Sequence, residues 1–354
     1  MFPSQAFIEY RPGMIFFRLI SIVLILLTVS GCGGKPEEPG IEVNGERLAV
    51  VDMHLHSGRW KWTPPVFRDR LGSRIPRGFK WVNKYLMNRW LSGDGILNSL
   101  DSAGVRAGGV FALYSPHTTG IAPNDFVAEQ IAIDPDRMYG FASIAVDQWN
   151  LNSTEQLAML EDALTNLDNM VGIKLAHAHM QFRFDDPRFY GIYEIAGRLG
   201  KPIYLHTATS PNPGVRLEPP YTDPYYLEEA IKRYPDTVFI LGHAGWDTYN
   251  RKLTYVDACI DLATRYDNVY MEPGALGAER AAEVLPDFVG RIKAADMSHK
   301  LIYGSDGPQF PGYIRSHLEN FVAAMSDAGY TTDEMRMILS DNFSRVFGLP
   351  KFDP

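Results

Sequence analysis

The chain has 354 residues, of which 45% are hydrophobic, which is enough for one large hydrophobic core. Asp and Glu number 42 against 34 Lys and Arg, giving a formal net charge of -8 at pH 7. A surface with this excess of negative charge argues against nucleic acid as a partner.

The N-terminal residues are typical of a secretory signal peptide. Arg18 precedes a predominantly apolar run at residues 19–29, which is shorter than the roughly 20 residues that a membrane span requires. We therefore predict that residues 1–31 are a signal peptide that is removed on export. A start at Met14 gives a more conventional signal peptide than a start at Met1, and both starts remain open.

Residues 29–32 (VSGC) resemble the lipobox of bacterial lipoproteins, in which the Cys becomes the lipidated N-terminus. The resemblance implies a lipid anchor on Cys32, and Gly33 after it implies the outer membrane, facing the periplasm. The alternatives are a plain secretory signal with an incidental Cys, or an uncleaved anchor. If Cys32 carries lipid, Cys259 is the only remaining thiol and no disulfide can form.

Composition divides the rest of the chain into a linker and a domain. Residues 32–46 are rich in Gly, Pro, Lys and Glu, so we predict a flexible tether there. Residues 47–354 contain no repeat of solenoid length and no further low-complexity tract. They are therefore predicted to form one catalytic domain.

Within this domain, short apolar runs typical of strands alternate with segments of helical period, as in a parallel sheet built from βα units. We predict eight strands, at residues 48–53, 105–113, 138–146, 170–175, 202–205, 237–241, 269–271 and 301–303. Eight such units favour an α/β fold of the (β/α)8 TIM-barrel type.

Two of the helices between the strands are well marked. Four leucines at residues 157–167 share one face, and Ser153 with Gln156 predicts a capping box at the start of that helix. The apolar face at residues 192–199 is followed by Gly200, a common helix end. The stretch 57–89 is too long for an ordinary connection, and we expect it to form a lid or pocket wall over the first strand.

Histidines and one aspartate fall where predicted strands end. These residues are His54, His56, His206, His243 and Asp306. Barrel enzymes build their sites from side chains at the carboxyl ends of several strands, so these five are expected to converge. Three imidazoles and one carboxylate are a normal ligand set for Zn2+ or a similar divalent ion, with a further position open to water.

At this point the sequence resembles the amidohydrolase superfamily, which carries an HxH on strand one, a His on strands five and six and an Asp on strand eight. Other stretches resemble the amidohydrolase-related subgroup that includes aminocarboxymuconate semialdehyde decarboxylase. They are NDF at 124–126, PDRMYG at 135–140, GIKL at 172–175, DDP at 185–187 and DNF at 341–343.

The resemblance implies one divalent metal, with Zn2+ as the first expectation. Its ligands would be His54, His56, His206 and Asp306. Asp306 would also take the proton of the attacking water, and His243 would act as an acid/base or oxyanion-stabilising group.

The end of the fourth strand leaves alternatives open. Lys174 lies where dihydroorotase-like relatives carry a carboxylated Lys that bridges two metals, so a second metal is one alternative. A second alternative is a buried Lys paired with a carboxylate. A third is a Lys that binds a substrate carboxylate. The subgroup often has GIKLH, whereas this chain reads GIKLAH, which moves the imidazole to His177 and adds His179. We expect His177 to line the pocket or to be structural.

Several further residues receive weaker interpretations. Glu272 is either a contact of a ligand His or a solvated carboxylate at the rim. The histidines 117, 299 and 317 are interpreted as structural or surface residues. Candidates for the pocket wall are Trp60, Trp62, Tyr114 and Arg183.

We therefore predict a metal-dependent hydrolase of a carboxylic ester, lactone or amide, acting on a small molecule. The first alternative is non-oxidative decarboxylation of an aromatic or unsaturated acid, which the same subgroup performs with the same ligands. The second is a catalytically idle, surface-tethered binding protein. Substrate, metal identity and a homo-oligomeric state stay open.

Overall fold

A computed structural model of the chain describes residues 38–71, 80–146, 149–210 and 218–354. All of them belong to one folded unit, Glu37–Pro354. The predicted signal peptide and the predicted lipidation site at Cys32 lie outside the described residues. Across the described ranges, no helix combines the length and apolarity needed to cross a membrane.

The described residues begin with an antiparallel hairpin of β1 (Ile41–Val43) and β2 (Glu46–Leu48). Asn44 and Gly45 connect the strands with φ values of 52° and 81°, the positive values that a tight hairpin turn of this type requires. The prediction of a flexible tether through residue 46 is therefore wrong for residues 41–46. The Asn-Gly turn signal and the burial of Val43 and Leu48 explain the difference.

Nine more strands follow the hairpin in the part of the chain that the structure describes. They are β3 (Val51–His56), β4 (Ala107–Phe111), β5 (Leu113–Ser115), β6 (Gly120–Ala122), β7 (Met138–Ala142), β8 (Met170–Leu175), β9 (Ile203–His206), β10 (Phe239–Gly242) and β11 (Val269–Glu272). β5 and β6 pair with each other, and the other seven form one parallel sheet in the order β3-β4-β7-β8-β9-β10-β11.

The segment at residues 301–307 connects the two edges of this sheet. Leu301 bridges to Met271 in β11, and Gly307 bridges to Leu55 in β3, both in parallel orientation. The predicted (β/α)8 barrel is confirmed, although the eighth strand is reduced to isolated bridges. Asp306, at a φ of 65°, bends this segment out of extended geometry.

Alternate residues of the strands face the barrel interior and the helices, which accounts for the continuous apolar runs in the sequence. Tyr204 and Ile240 belong to the interior cluster with Met53. Their neighbours Leu205 and Leu241 belong to the layer packed against the helices. The strands are thus buried on both faces.

Helices surround the sheet and carry the chain from one strand to the next. They are α1 (Pro65–Leu71), α2 (Lys80–Trp90), α3 (Gly93–Ala103), α4 (Asn124–Ile131), α5 (Trp149–Asn166), α6 (Tyr190–Leu199), α7 (Pro219–Thr222), α8 (Glu228–Arg233), α9 (Val256–Arg265), α10 (Leu285–Ala294), α11 (Tyr313–Asp327), α12 (Thr332–Arg336) and α13 (Asn342–Phe347).

The two helices predicted in detail are both present. α6 ends at Leu199 and is capped by Gly200, whose φ of 61° is the left-handed conformation expected of a helix C-cap. α5 begins at Trp149, more than one turn earlier than predicted. The expected capping box at Ser153 is therefore wrong, because Ser153 already lies inside the helix.

Candidate metal centre

The five residues singled out at strand ends all lie at the carboxyl edge of the barrel. His54 and His56 are in the last half of β3, and His206 is the last residue of β9. His243 immediately follows β10, and Asp306 lies in the segment that closes the barrel. The fold therefore brings to one edge residues that are up to 252 positions apart in sequence.

Three of these side chains present ligand atoms at close range. The Nε2 atoms of His54 and His56 are 3.1 Å apart, and Asp306 Oδ1 is 3.0 Å from His56 Nε2 and 3.3 Å from His54 Nε2. Around a metal with bonds of about 2.1 Å, neighbouring ligand atoms are roughly 3.0 to 3.4 Å apart. The separations therefore fit a divalent cation.

His243 joins the same group. One ligand atom from each of His54, His243 and Asp306 lies within 4.8 Å of the others, and this set could hold a metal ion. The ring of His206 packs edge-on against that of His243, with centroids 4.6 Å apart, and its Nε2 is buried without a hydrogen-bond partner among the described residues. A buried nitrogen without a protein partner is suited to bind a cation.

A buried network of hydrogen bonds orients His54. Glu272 is fully buried, and its Oε1 lies 3.2 Å from His54 Nδ1. Tyr204 donates from its hydroxyl to Glu272 Oε2 at 2.9 Å and lies 3.0 Å from His54 Nδ1. With Nδ1 occupied in this way, His54 presents Nε2 to the other ligand atoms.

Glu272 also holds the backbone beside the site. It accepts hydrogen bonds from the N–H groups of His243 at 3.1 Å and Gly274 at 2.7 Å. The interpretation of Glu272 as a solvated rim carboxylate is therefore wrong. Burial raises the pKa of Glu272, while these hydrogen bonds and the neighbouring His243 act in the opposite direction.

Asp52 fixes β3 against the closing segment. Its Oδ1 accepts from the backbone N–H groups of His54 at 3.1 Å and Ser305 at 2.8 Å. Burial raises the pKa of Asp52 to about 7, although the bonds with Ser305 and His54 lower it. The HxH strand and the strand-eight Asp are thereby held in register.

The backbone around the site is unusual. The backbone φ values of His243, Ala244 and Asp306 are 61°, 44° and 65°. Residues other than glycine rarely adopt such positive values. Gly274, at a φ of 49°, packs directly on His243, since a Cβ there would lie 2.0 Å from His243 Nδ1. Such conformations persist only where the surrounding structure determines them.

Burial sets the charge of these groups. It lowers the pKa of His243 to about 3 and holds the pKa of His54 well below its ordinary value, so both imidazoles are neutral at pH 7. For Asp306, burial acts to raise the pKa, but the hydrogen bond from His56 and the nearby imidazoles hold it well below its usual range. The centre thus combines neutral imidazoles with an ionised carboxylate.

Lys174 lies inside the barrel beside the cluster and is 2% exposed. Its Nζ is 3.8 Å from the ring centroid of Tyr204 and 4.7 Å from that of Phe111. Burial lowers the pKa of Lys174 to about 7, against the opposing influence of Asp306 and Glu272. Among the described residues it forms no ion pair with a carboxylate within 4.0 Å, so the interpretation as a directly paired Lys is wrong.

The two histidines after β8 point to different surroundings. His177 packs with ring centroids 4.0 Å from Phe189 and 5.3 Å from Phe184, and its Nε2 lies 3.5 Å from the hydroxyl of Tyr193. It lines a separate cleft with Tyr114. His177 is therefore remote from the metal ligands in its contacts, which leaves no geometric support for a second metal there.

His179 is the imidazole that reaches the cluster. Its ring centroid lies 4.3 Å from that of His206, and its Nδ1 is 3.1 Å from Ser210 Oγ. Burial, with Lys174 and His243 nearby, lowers the pKa of His179 to about 3. In the sequence, the only indication of a site residue here is the presence of His177 and His179 after the strand. The sequence does not show which of the two faces the site.

The weaker interpretations have mixed outcomes. Arg183 pairs with Asp185 at 2.7 Å on the surface, and Trp62 packs on Phe126 with ring centroids 4.8 Å apart. His117 and His299 are exposed, whereas His317 is a buried core residue whose Nδ1 lies 3.0 Å from the hydroxyl of Tyr303. Tyr204, His179 and Asp52 are site residues that the sequence reasoning did not assign.

The amidohydrolase family model matches residues 96–349. His54 and His56 precede the matched range. No curated protein matches the chain.

Among solved structures, an uncharacterised TIM-barrel protein from Bordetella bronchiseptica is similar with a TM-score of 0.61 and 18% identity, covering 85% of this chain and 99% of that chain. A probable 2-pyrone-4,6-dicarboxylic acid hydrolase from Acinetobacter baumannii has a TM-score of 0.58 at 16% identity, covering 85% and 100%. A 5-carboxyvanillate decarboxylase from Novosphingobium aromaticivorans, complexed with manganese, has a TM-score of 0.57 at 16% identity, covering 88% and 99%. These likenesses show the fold that the chain shares with them.

Proposed function

The chain belongs to the amidohydrolase family, and we propose on that premise that it is a metal-dependent hydrolase of a carboxylic ester, lactone or amide. The observation that carries the proposal is the ionised Asp306 carboxylate, 3.0 Å from His56 and 3.3 Å from His54 at the carboxyl edge of the barrel. A carboxylate held against the ligand imidazoles is placed to accept a proton there.

We propose that His54, His56, His206 and Asp306 hold one divalent cation. When bound, the cation would polarise the substrate carbonyl and lower the pKa of water toward neutrality. Zn2+ suits this mixed His and carboxylate set, and Mn2+ is tested beside it because two solved relatives contain manganese. Carboxylation of Lys174 would add a second cation.

The protein side of the reaction follows from the charges of the side chains. Asp306 accepts the proton of the attacking water at a carboxylate oxygen and later returns it to the leaving group. His243, neutral and backed by Gly274, donates a hydrogen bond to the oxygen on which negative charge develops. Glu272 and Tyr204 keep His54 oriented and do not meet the substrate.

One observation favours decarboxylation as a second candidate. Lys174 is a buried amino group without a carboxylate partner among the described residues, and it lies near Asp306, where its protonated form could recognise a substrate carboxylate. Several of the similar solved structures are decarboxylases. Arg183, the other basic candidate, is engaged with Asp185 and offers no such group.

The test uses the full chain loaded in parallel with Zn2+ and Mn2+. Wild type, Asp306→Asn and His243→Gln are screened against esters, lactones and amides, with the carboxylate product recorded, and against aromatic and unsaturated acids, with CO2 recorded. The proposal expects hydrolysis that Asp306→Asn abolishes, and His243→Gln that keeps its metal while losing turnover. CO2 release without hydrolysis establishes the second candidate. Bound metal without either reaction leaves the idle binding protein.

The cellular location is a separate proposal. We infer from the signal-like residues 19–29 and the VSGC sequence that the mature chain is anchored by lipid on Cys32 in the bacterial envelope. Metabolic labelling with a fatty acid should mark the wild-type chain and not Cys32→Ser. Equal labelling of both would refute the anchor at Cys32.

A further inference from the structure

Three imidazoles stand side by side at the ends of consecutive barrel strands. His179 lies in the short turn His177–Met180 that follows β8, His206 ends β9, and His243 follows β10. Ring centroids are 4.3 Å apart between His179 and His206 and 4.6 Å apart between His206 and His243. His179 therefore extends the cluster by one strand, beyond the residues already assigned to it.

The hydrogen bonding of His179 distinguishes its two ring nitrogens. Nδ1 lies 3.1 Å from the hydroxyl oxygen of Ser210, in a contact that is buried. Among the described residues, Nε2 has no hydrogen-bond partner, although the side chain is only 7% exposed. When Ser210 donates to Nδ1, the single proton of a neutral imidazole is on Nε2. Nε2 is then a donor for which the described protein offers no acceptor.

The other histidine of the same turn provides a contrast. His177 is enclosed by Phe184, Phe189 and Tyr193, as expected of a histidine that packs the core. His179 contacts another imidazole and a serine hydroxyl instead, beside the candidate metal ligands. Packing in the core accounts for His177. It does not account for His179.

We propose that His179 is a substrate-contacting residue, which donates a hydrogen bond from Nε2 to an acyl oxygen of the substrate. Ser210 is the positioning residue that sets the tautomer of His179. The inference deepens the proposed function, since it names a second donor beside His206, which also contacts His243. Two donors that address one acyl group would both stabilise the negative charge that develops on its oxygen.

The experiment compares His179→Leu, which removes the donor, with His179→Gln, whose amide can place an N–H near the position of Nε2. The exposed His117 supplies His117→Leu as a matched control. Metal per chain, kcat and KM are measured for each full-length variant with 4-nitrophenyl acetate and with the best substrate of the screen. The tautomer of His179 is read from nitrogen NMR of the metal-free, 15N-histidine-labelled protein, with His179→Gln identifying the signal.

Support requires four results together. His179→Leu keeps its metal and loses about 100-fold to 1,000-fold in kcat, the range for removal of one oxyanion donor. His179→Gln regains a large part of kcat, His117→Leu equals wild type, and NMR finds the proton on Nε2. Loss of metal in both variants would make His179 a ligand and overturn the proposal, as would an unchanged kcat in His179→Leu.

The NMR measurement also separates the two proposals. If wild type hydrolyses nothing, the proposed hydrolase function fails, while the tautomer still decides the inference about His179. A proton on Nδ1 removes the donor and overturns it. A proton on Nε2 that moves to Nδ1 in Ser210→Ala upholds both assigned roles of the pair.

Discussion

Replacing Glu272 by Gln tests whether this buried carboxylate orients the metal-binding face of His54. Its Oε1 accepts from Gly274 N at 2.7 Å and lies 3.2 Å from His54 Nδ1, while Oε2 accepts from Tyr204 at 2.9 Å and from His243 N at 3.1 Å. Gln has a single acceptor oxygen. Whichever way the amide is turned, its NH2 group faces one of the two backbone N–H donors.

The expected cost follows from that conflict. One buried donor left without an acceptor lowers the free energy of unfolding by about 1–3 kcal/mol. A weakened contact to His54 lowers metal affinity by about 10-fold to 100-fold, as is usual for partners of ligand imidazoles. Denaturant unfolding of the metal-free protein measures the first effect, and competition with a chelator for Zn2+ measures the second.

Glu279→Gln is the matched control, because Glu279 is exposed and follows the same strand. It should leave both quantities within error of wild type. If Glu272→Gln is destabilised while its metal affinity equals that of wild type, Glu272 supports the loop and does not orient His54. Unchanged stability and unchanged affinity together would refute the reasoning altogether.

Three further predictions concern the site and its support. Gly274→Ala, whose Cβ would lie 2.0 Å from His243 Nδ1, should lower the free energy of unfolding by about 1–3 kcal/mol and reduce turnover. The control Gly290→Ala, whose Cβ would have no neighbour within 4 Å, should be neutral or stabilising. Denaturant unfolding and kcat are measured for both variants. Removing the metal with a chelator should lower the melting temperature, by the equivalent of about 2.7 kcal/mol when free metal had been 100 times Kd. Glu334, bound to Lys293 and holding a capping box, has its pKa lowered to about 2, although burial alone would raise it. Because the folded pKa lies below the unfolded value of 4.5, wild type should be more stable than Glu334→Gln above pH 4.5, by about 1 kcal/mol, and lose that advantage toward pH 2; a pH series of urea unfolding checks it.

The barrel could be predicted from the sequence because its strands are buried on both faces. Residues such as Leu205 and Leu241 pack outward while Tyr204 and Ile240 pack inward, so every strand appears as an apolar run. The eighth strand is weaker than predicted, since its pairing depends on a backbone that turns at Asp306. No apolar pattern encodes that turn.

The hairpin at residues 41–48 was missed for a different reason. The average composition of residues 32–46 favoured a tether, whereas the turn at Asn44 and Gly45 determines the structure. A two-residue turn signal can outweigh the average composition of the segment around it. The burial of Leu48 then fixes the second strand against the barrel.

The strand-end histidines could be predicted because a parallel barrel brings all its strand ends to one edge. Their supports could not, since the contact of Glu272 with His54 joins residues 218 positions apart and that of Tyr204 joins residues 150 positions apart. In the sequence, nothing distinguishes Tyr204 from the other aromatic residues of the barrel interior. The position of His179 could not be predicted either, because the sequence does not show how the turn after β8 is folded. Without that fold, either His177 or His179 could face the site.

The buried charges argue for a divalent cation without reference to any relative. Asp52, Glu272 and Asp306 are three carboxyl groups in the buried end of the barrel, and Lys174 is the cationic group beside them. Fully ionised, these four carry a net charge of two negative units. Burial raises the pKa of Asp52 to about 7 and raises that of Glu272 as well. One divalent cation balances that charge and would lower the pKa of both carboxyl groups. The neutral imidazoles supply ligand atoms without adding charge, so donor set and charge balance favour the same cation.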